Sequence, residues 1–327
     1  MPLNRSTTLF CLIAMSLSLS VAAEKGEIRA LWADSWNEGF LTPDQTDAFL
    51  KDAWAGGYNT VIVEVRKTAD AYYRSTLEPR ATNLAGDYDA LDDILTKAKR
   101  PPRGKPALNV QAWIVVNRIW VGAQKPPKLD PVHLVNAHPD WLMKNDKGEV
   151  CNTAGENHMY QDPAHPGVVE HTAAVVRELV SKYPVDAVHL DYIRYPGRDW
   201  GYSEAALARF ARATGKTGKP APGESAWKDW RREQNDLLVR RIAAEARSAR
   251  PGVVLSAAVV TWGGTHGGRF EETDAYAGAL QNWPRWCNEG WMDEVPDELQ
   301  AAGTTGPRAR LTWIGSSWGG VWPAVHA

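Results

Sequence analysis

The sequence has few cysteines, no block of basic residues and no long apolar run beyond its N-terminal segment. Its 37 Lys and Arg are slightly outnumbered by 39 Asp and Glu, which gives a net charge of −2. Because binding to nucleic acid depends largely on clustered positive charge, this composition gives that class of partner no support. A membrane-spanning helix needs roughly 20 apolar residues, which no later segment supplies. We therefore expect neither a nucleic-acid partner nor stable insertion into a membrane.

The N-terminal segment has the pattern of a signal peptide. Residues 1–8 carry one positive charge, Arg5, and residues 9–21 form an apolar stretch that ends in Val21-Ala22-Ala23. Small residues at these positions predict cleavage after Ala23. The alternative is an uncleaved anchor, but a stretch of about 13 residues is short for a hydrocarbon core of ~30 Å. We predict an exported protein, periplasmic or secreted, with residues 1–23 removed.

Two of the three cysteines, Cys151 and Cys287, lie beyond this segment. An oxidising compartment would permit a disulfide between them, but the sequence alone cannot place two thiols within bonding distance. A disulfide and two separate thiols both remain open.

Apolar runs alternate with helical patterns from residue 27 onward. The predicted strands are 28–33, 58–65, 108–116, 185–190, 253–260 and 291–295, and the predicted helices are 43–55, 89–99, 167–182, 203–213, 225–249 and one from about 272 that breaks near Pro284. Strands rich in Val, Ile and Leu between helices indicate a parallel sheet covered by helices. No Gly-rich phosphate turn follows the first strand, which argues against a dinucleotide-binding fold. Six such units favour an α/β fold of the (β/α)8 TIM-barrel type over an open sheet, with an ordered long loop at 118–166.

Side chains alternate sides along a strand, and here one side is apolar while the other is polar or aromatic. The polar side comprises Glu64, Arg66, Trp113, Asn117, His189 and Asp191, extended at the first strand by Trp32 and Asp34. In a barrel this side points inward and rises toward the carboxyl ends of the strands, where barrel enzymes keep their active sites. Burying so many polar groups is costly unless they pair with each other or meet a ligand. A buried ion pair, for instance between Glu64 and Arg66, is therefore the structural alternative to a functional site.

The segment 185–196, VDAVHLDYIRYP, resembles the fourth-strand motif of the glycosyl-hydrolase-like 10 family, bacterial exported proteins related to peptidoglycan glycosidases. Segments 27–32, 59–66, 70–75 with Pro79, 112–113 with Asn117, and 230–232 resemble other parts of that family in the same order. The resemblance covers residues 27–295 and implies a (β/α)8 barrel that hydrolyses glycosidic bonds, in some members those of cell-wall glycan strands. Relatives often have glutamine where Glu64 stands. Residues 296–327 match no further β/α units, so we expect a barrel domain at 24–295 and a divergent or truncated tail at 296–327.

Glycoside hydrolysis usually needs two carboxyl groups, one that donates a proton and one that stabilises or attacks the anomeric carbon. We assign the second role to Asp191 and the proton donor to Glu64, with Asp70, Asp34 and Asp293 as alternatives for the donor. The 16 tryptophans of the chain suit stacking on sugar rings. The residues expected to bind substrate are Trp32, Asp34, Arg66, Asp70, Tyr73, Trp113, Asn117, His189, Tyr192, Arg194, Tyr195 and Trp262.

Two other functions remain open. One is a catalytically inactive barrel that binds a glycan, keeping the aromatic residues without a working acid. The other is a metal-dependent amidase or deacetylase that acts on the same cell-wall material. His189 and Asp191 alone do not make a metal site, because no second histidine pair stands at another strand end. We therefore expect no metal and no other cofactor.

Overall fold

A computed structural model describes residues 28–150, 157–260 and 269–295 of the chain. The strands are β1 (Ala30–Ala33), β2 (Thr60–Arg66), β3 (Asn109–Val115), β4 (Arg118–Val121), β5 (His158–Tyr160), β6 (Ala187–Asp191) and β7 (Val254–Ala257). Five of them form a sheet in the order β1-β2-β3-β6-β7, and each neighbouring pair is parallel. In a TIM barrel each strand of the sheet lies next to the one that precedes it in the chain, as it does here. In a doubly wound sheet the strand order reverses at one point. The predicted α/β fold of TIM-barrel type is confirmed.

Five helices lie close to their predicted positions, whereas the single helix predicted from about residue 272 is observed as two short helices. The helices are α1 (Pro43–Ala55), α2 (Ala90–Ala98), α3 (Leu134–Ala137), α4 (Pro166–Lys182), α5 (Glu204–Thr214), α6 (Ser225–Ala249), α7 (Asp274–Ala277) and α8 (Trp283–Asn288). The side chain of Thr42 caps α1 by accepting a hydrogen bond from the Gln45 N–H. At the start of α6, Glu224 is the N-cap residue, and the Ser225 hydroxyl donates to Asp229.

The apolar side of the strands packs under the helices, as the alternation predicts. The side chains of Val61, Val63 and Val65 on β2 join one buried cluster with Val188 and Leu190 on β6. Residues of α1, α2, α4 and α6 complete the same cluster. Burial of this apolar surface is the main favourable contribution to the fold, and it leaves the opposite side of each strand facing inward.

A register shift interrupts β2 near its carboxyl end. Glu64 lies opposite Trp113 of β3, but Arg66 lies opposite Ile114, so Val65 is an extra residue in the ladder. Because a one-residue shift moves a side chain to the other face of a sheet, Arg66 no longer follows the side of Glu64. The predicted inward position of Arg66 beside Glu64 is therefore wrong, and its physical cause is this bulge.

Two other predicted segments differ in detail. The long loop contains β4 and β5, which pair as an antiparallel two-stranded sheet, together with α3 and a 3₁₀ turn at Pro139–Trp141. The predicted sixth strand at 291–295 is reduced to one parallel bridge between Ser256 and Glu294.

Within the described ranges, no helix has both the length and the hydrophobicity to cross a bilayer. The predicted signal peptide, Cys151, Trp262 and the tail at 296–327 lie outside those ranges.

Candidate active site

One row of side chains crosses four neighbouring strands on the inner face of the sheet. Glu64 on β2 lies opposite Trp113 on β3, Trp113 lies opposite His189 on β6, and His189 lies opposite Ser256 on β7. Adjacent strands are ~4.8 Å apart, so partners in register point to the same side and adjoin each other. Asp191 follows two residues after His189, on the same side and nearer the carboxyl end of the sheet. The row therefore brings a glutamate and an aspartate to the place where barrel enzymes keep their active sites.

Glu64 is a buried carboxyl group that is bound by neutral donors. Its Oε2 accepts hydrogen bonds from the Ser35 N–H at 2.9 Å and the Ser35 hydroxyl at 2.7 Å. Burial raises the pKa of Glu64 to about 7, although these two hydrogen bonds and the charges of Arg118 and Lys67 oppose the shift. Both hydrogen bonds reach Oε2, so the proton of the neutral form belongs on Oε1. Glu64 therefore keeps its proton in a substantial share of molecules at neutral pH.

Asp191 is surrounded by donors. Its Oδ1 accepts from the Tyr192 N–H at 2.6 Å and lies 3.8 Å from Nη1 of Arg194, while its Oδ2 accepts from Nε1 of Trp113 at 3.2 Å. Tyr192 has a φ of 53°, a left-handed conformation that is uncommon for a residue other than glycine. A strained backbone just after a strand is a recurrent feature of functional sites. The arrangement suits an acceptor carboxylate held in a fixed position.

His189 is neutral and linked to two polar side chains. Its Nδ1 lies 2.8 Å from the Ser256 hydroxyl, which in turn donates to Oε1 of Gln111. Burial lowers the pKa of His189 to about 3, which keeps the ring uncharged. Its Nε2 is buried without a hydrogen-bond partner in the described chain.

Three aromatic rings, those of Trp32, Trp113 and His189, pack together on the inner face of the sheet. The Trp32 ring meets that of Trp113 at a centroid distance of 5.0 Å and that of His189 at 4.8 Å, both edge to face. Such contacts fix ring orientation as well as burying apolar area. Because Trp113 also donates to Asp191, this packing positions the carboxylate.

Trp36, Lys67 and Arg118 were not predicted from the sequence, and the charges of Lys67 and Arg118 act on Glu64. Nη1 of Arg118 donates to the Tyr192 hydroxyl at 2.8 Å, and its guanidinium lies 4.1 Å from the Tyr192 ring centroid. Nζ of Lys67 lies 4.5 Å from the ring centroid of Trp36, a residue with 48% of its surface exposed. Lys67 and Ser35 come just after the ends of β2 and β1, and Arg118 begins β4, shortly after the end of β3. That position, more than residue type, was the signal available in the sequence.

Arg66 and Tyr73, both predicted to bind substrate, lie in a separate buried group. Arg66 makes two hydrogen bonds to Glu78, from Nε at 2.7 Å and from Nη2 at 2.6 Å, and His171 approaches the same carboxylate at 3.4 Å. The Tyr73 ring packs on Tyr183 at 5.5 Å. Burial acts to raise the pKa of Glu78, but Arg66 and His171 outweigh it and lower that pKa to about 2. The expected ion pair of Arg66 exists, with Glu78 as its partner instead of Glu64.

Most of the remaining predicted residues make hydrogen bonds that stabilise loops and helices. Asp34 accepts hydrogen bonds from the backbone N–H groups of residues 36 and 37, and Asp70 accepts from that of Thr68. Asn117 donates to Asn235 of α6 and to the Arg194 carbonyl, and Tyr195 is buried. Asp293, an alternative acid, accepts from the Leu255 N–H and from Arg247. Within the described part of the chain, no group of three or more His, Cys, Asp or Glu side chains could hold a metal ion.

The strand order and the polar strand ends define an α/β protein of the TIM-barrel type. The chain belongs to the glycosyl hydrolase-like 10 family, whose model matches residues 27–302. The family resemblance seen in the sequence is thereby confirmed.

Two curated relatives carry matching names. Glycosyl hydrolase YngK of Bacillus subtilis (strain 168) is 28% identical over 299 residues, which cover 84% of this chain and 54% of the relative. Glycosyl hydrolase DigH of Escherichia coli (strain K12) is 26% identical over 264 residues, which cover 74% of this chain and 54% of the relative. The chain thus spans about half the length of the curated relatives it matches.

A solved structure shares the fold. The glycoside hydrolase domain of PgaB (BpsB) from Bordetella bronchiseptica superposes with a TM-score of 0.54 at 13% identity, covering 83% of this chain and 74% of that one. The family supports a glycan-acting, hydrolase-like function, and this neighbour supports the fold.

Proposed function

We propose that the chain is a glycoside hydrolase that cuts O-glycosidic bonds of a polysaccharide outside the cytoplasm, with Glu64 and Asp191 as its two carboxyl groups. One observation carries the proposal. Two carboxyl groups share the inner face of the sheet in unlike surroundings, one buried with a pKa near 7 and one held by three donors at a strand end. Environments that separate two carboxyl groups in this way are the usual means of assigning an acid and its partner.

Glu64 serves as the general acid. Its proton resides on Oε1, since Oε2 accepts both hydrogen bonds from Ser35, and Oε1 gives that proton to the leaving oxygen of the glycosidic bond. A pKa of about 7 is well matched to proton donation near neutral pH, because the group is both protonated and acidic enough to release its proton.

Asp191 serves as the second carboxyl group. Held by the Tyr192 N–H and the Trp113 indole, it faces the anomeric carbon and stabilises the positive charge that develops there, or attacks it. The half-exposed ring of Trp36 offers an apolar face for a sugar ring. As substrate we propose the glycan strands of peptidoglycan freed of their peptides, which fits the family and the predicted export signal.

A second candidate is a barrel that binds a glycan without cutting it. The observation that favours it is the 1% exposure of Glu64, which leaves little of the acid within reach of a sugar in this conformation. A working enzyme needs a movement that exposes Oε1 of Glu64.

An assay of new reducing ends on peptide-free peptidoglycan strands distinguishes these functions. The purified protein should release reducing ends, and Asp191→Asn should lower the rate by about 10²–10⁴-fold. Asp52→Asn, at an exposed site on α1, is the matched control and should keep the full rate. Full activity in Asp191→Asn would contradict the site, and binding without any cleavage would support the inactive barrel. Chelator-sensitive release of acetate from these strands, or of peptide from intact peptidoglycan, would support the metal-dependent deacetylase or amidase.

A further inference from the structure

Two cations stand beside the proposed active site without a carboxylate partner. Lys67 is 8% exposed and Arg118 is 5% exposed, and neither is within ion-pair distance of an acidic group in the described chain. The one hydrogen bond of Lys67 is a long contact of 3.5 Å from Nζ to the Ser35 carbonyl. Arg118 uses Nη1 for the Tyr192 hydroxyl, and its Nε is buried without an acceptor. Charges this well buried are normally paired, so both cations have unused capacity for an anion.

The acidic groups nearby do not neutralise this charge. Glu64 supplies only part of a negative charge at neutral pH, because burial raises its pKa to about 7 and a substantial share of molecules keep the proton. Asp191 faces Arg194, and Asp34 and Asp70 are engaged by donors of their own loops. The mouth of the site is therefore positively charged, although the whole chain carries a net charge of −2. A neutral glycan would leave these two cations desolvated and unpaired.

We infer that Trp36, Lys67 and Arg118 form a subsite for a sugar that carries a carboxylate, directly beside the Glu64–Asp191 pair. The inference rests on the proposed function for its location but concerns binding and not cleavage. Lys67 lies 4.5 Å and Arg118 lies 5.9 Å from the ring centroid of Trp36, so the two cations flank one exposed indole. An indole supplies apolar surface to a sugar ring, while a guanidinium and an ammonium supply charge-assisted hydrogen bonds to its acid group.

An acidic sugar at this subsite would also act on the proton donor. Lys67 and Arg118 both lower the pKa of Glu64 through their charge. A carboxylate bound between them would offset that effect and favour the protonated form of Glu64. The subsite thus couples recognition of an acidic sugar to the protonation that cleavage requires.

The test compares binding of two glycans that differ only in charge. Peptide-free peptidoglycan strands bear a carboxylate on every second sugar, and activation followed by reduction converts these groups to neutral alcohols. Asp191→Asn protein, which should bind without turnover, is titrated calorimetrically with both preparations. We expect the reduced strands to bind about tenfold more weakly, the effect of one lost charge-assisted contact. The preference should weaken as salt is raised.

Two variants test whether Lys67 is responsible for the preference for charged over reduced strands. Lys67→Met in the same background keeps the stem but removes the charge, and it should reduce the preference for the charged strands, with Arg118 left as the one cation of the subsite. Lys51→Gln, at an exposed position on α1, makes the same change in net charge and should keep the tenfold preference. Retention of the full preference in Lys67→Met would overturn the assignment. If Lys67→Met does not fold, the comparison of the two glycans on the folded parent still decides.

The outcomes separate this inference from the proposed function. Equal affinity of the parent for charged and reduced strands overturns the subsite, even where the wild-type protein releases reducing ends. A charge preference without any release of reducing ends overturns the hydrolase and supports the subsite.

Discussion

Two buried glutamates, one on β2 and one in the loop that follows it, have opposite electrostatic environments. Glu64 and Glu78 are each 1% exposed, yet the pKa of Glu64 is raised to about 7 and that of Glu78 is lowered to about 2. Glu64 is bound by the neutral N–H and hydroxyl of Ser35, whereas Glu78 is bound by the Arg66 guanidinium. Burial alone therefore does not determine whether a carboxyl group is charged; its direct partner does.

Because of the bulge at Val65, the Arg66 guanidinium pairs with Glu78 and not with Glu64. Without the extra residue, strand alternation would put Arg66 on the side of Glu64. With it, Arg66 reaches Glu78 and the carbonyl groups of Val115 and Val116. One irregularity in the strand thus separates a structural ion pair from a carboxyl group that can hold a proton. Bulges next to active sites often redirect a side chain in this way.

The largest expected difference between the two glutamates is in stability. Glu78→Gln leaves Arg66 buried without its counter-ion and should lower the free energy of unfolding by about 3–5 kcal/mol. Glu64→Gln replaces a protonated acid by a neutral amide that still accepts from Ser35, and it should cost less than about 1 kcal/mol. Denaturant unfolding at pH 6 measures both, with exposed Glu289→Gln as control. Equal losses of unfolding free energy in Glu64→Gln and Glu78→Gln would contradict the proposed difference between the two glutamates.

The pH dependence of stability should also differ in sign, by on the order of 2–3 kcal/mol at each site. The folded pKa of Glu64 lies above its unfolded value of 4.5, so its contribution is present below pH 4.5 and is lost as pH rises through about 7. The folded pKa of Glu78 lies below that value, so its contribution is present above pH 4.5 and is lost as pH falls toward about 2.

Urea melts across this range, compared among the wild type, Glu64→Gln and Glu78→Gln, report the two contributions separately. Glu64→Gln should remove the loss on the alkaline side and Glu78→Gln the loss on the acid side. A variant that alters the opposite side would show that the assignment of these pKa values is wrong.

The smallest effect concerns Ser35. Its hydroxyl favours the ionised form of Glu64, so Ser35→Ala should raise the pKa of Glu64 further and move the alkaline limb of cleavage upward by about one pH unit. The pH–rate profile on peptide-free strands measures this shift. Ser181→Ala, which removes an exposed hydroxyl on α4, should leave the profile unchanged. A downward shift in Ser35→Ala would mean that the hydroxyl does not act on Glu64 as the structure indicates.

Much of the fold follows from the sequence because strand and helix periodicities were clear. The bounds of α1 and α6 agree with their predicted ranges, and alternation correctly grouped Glu64, Trp113, His189 and Asp191 on one side. Arg66 was misplaced because a bulge depends on pairing with the neighbouring strand, which the residues of β2 do not reveal. Ser35 and Lys67 were missed because they lie just beyond the strands, where alternation no longer predicts direction, and Arg118 was missed because it begins β4 in a segment predicted as a loop.

Titration of individual glutamate carboxyl groups tests the central contrast most directly. In protein labelled with ¹³C at glutamate carboxyl carbons, the signal absent from Glu64→Gln should titrate with a midpoint near pH 7, and the signal absent from Glu78→Gln should remain ionised down to about pH 3. A midpoint for Glu64 near its ordinary value of 4.5 would contradict the account, because the proposed acid would then have lost its proton at neutral pH.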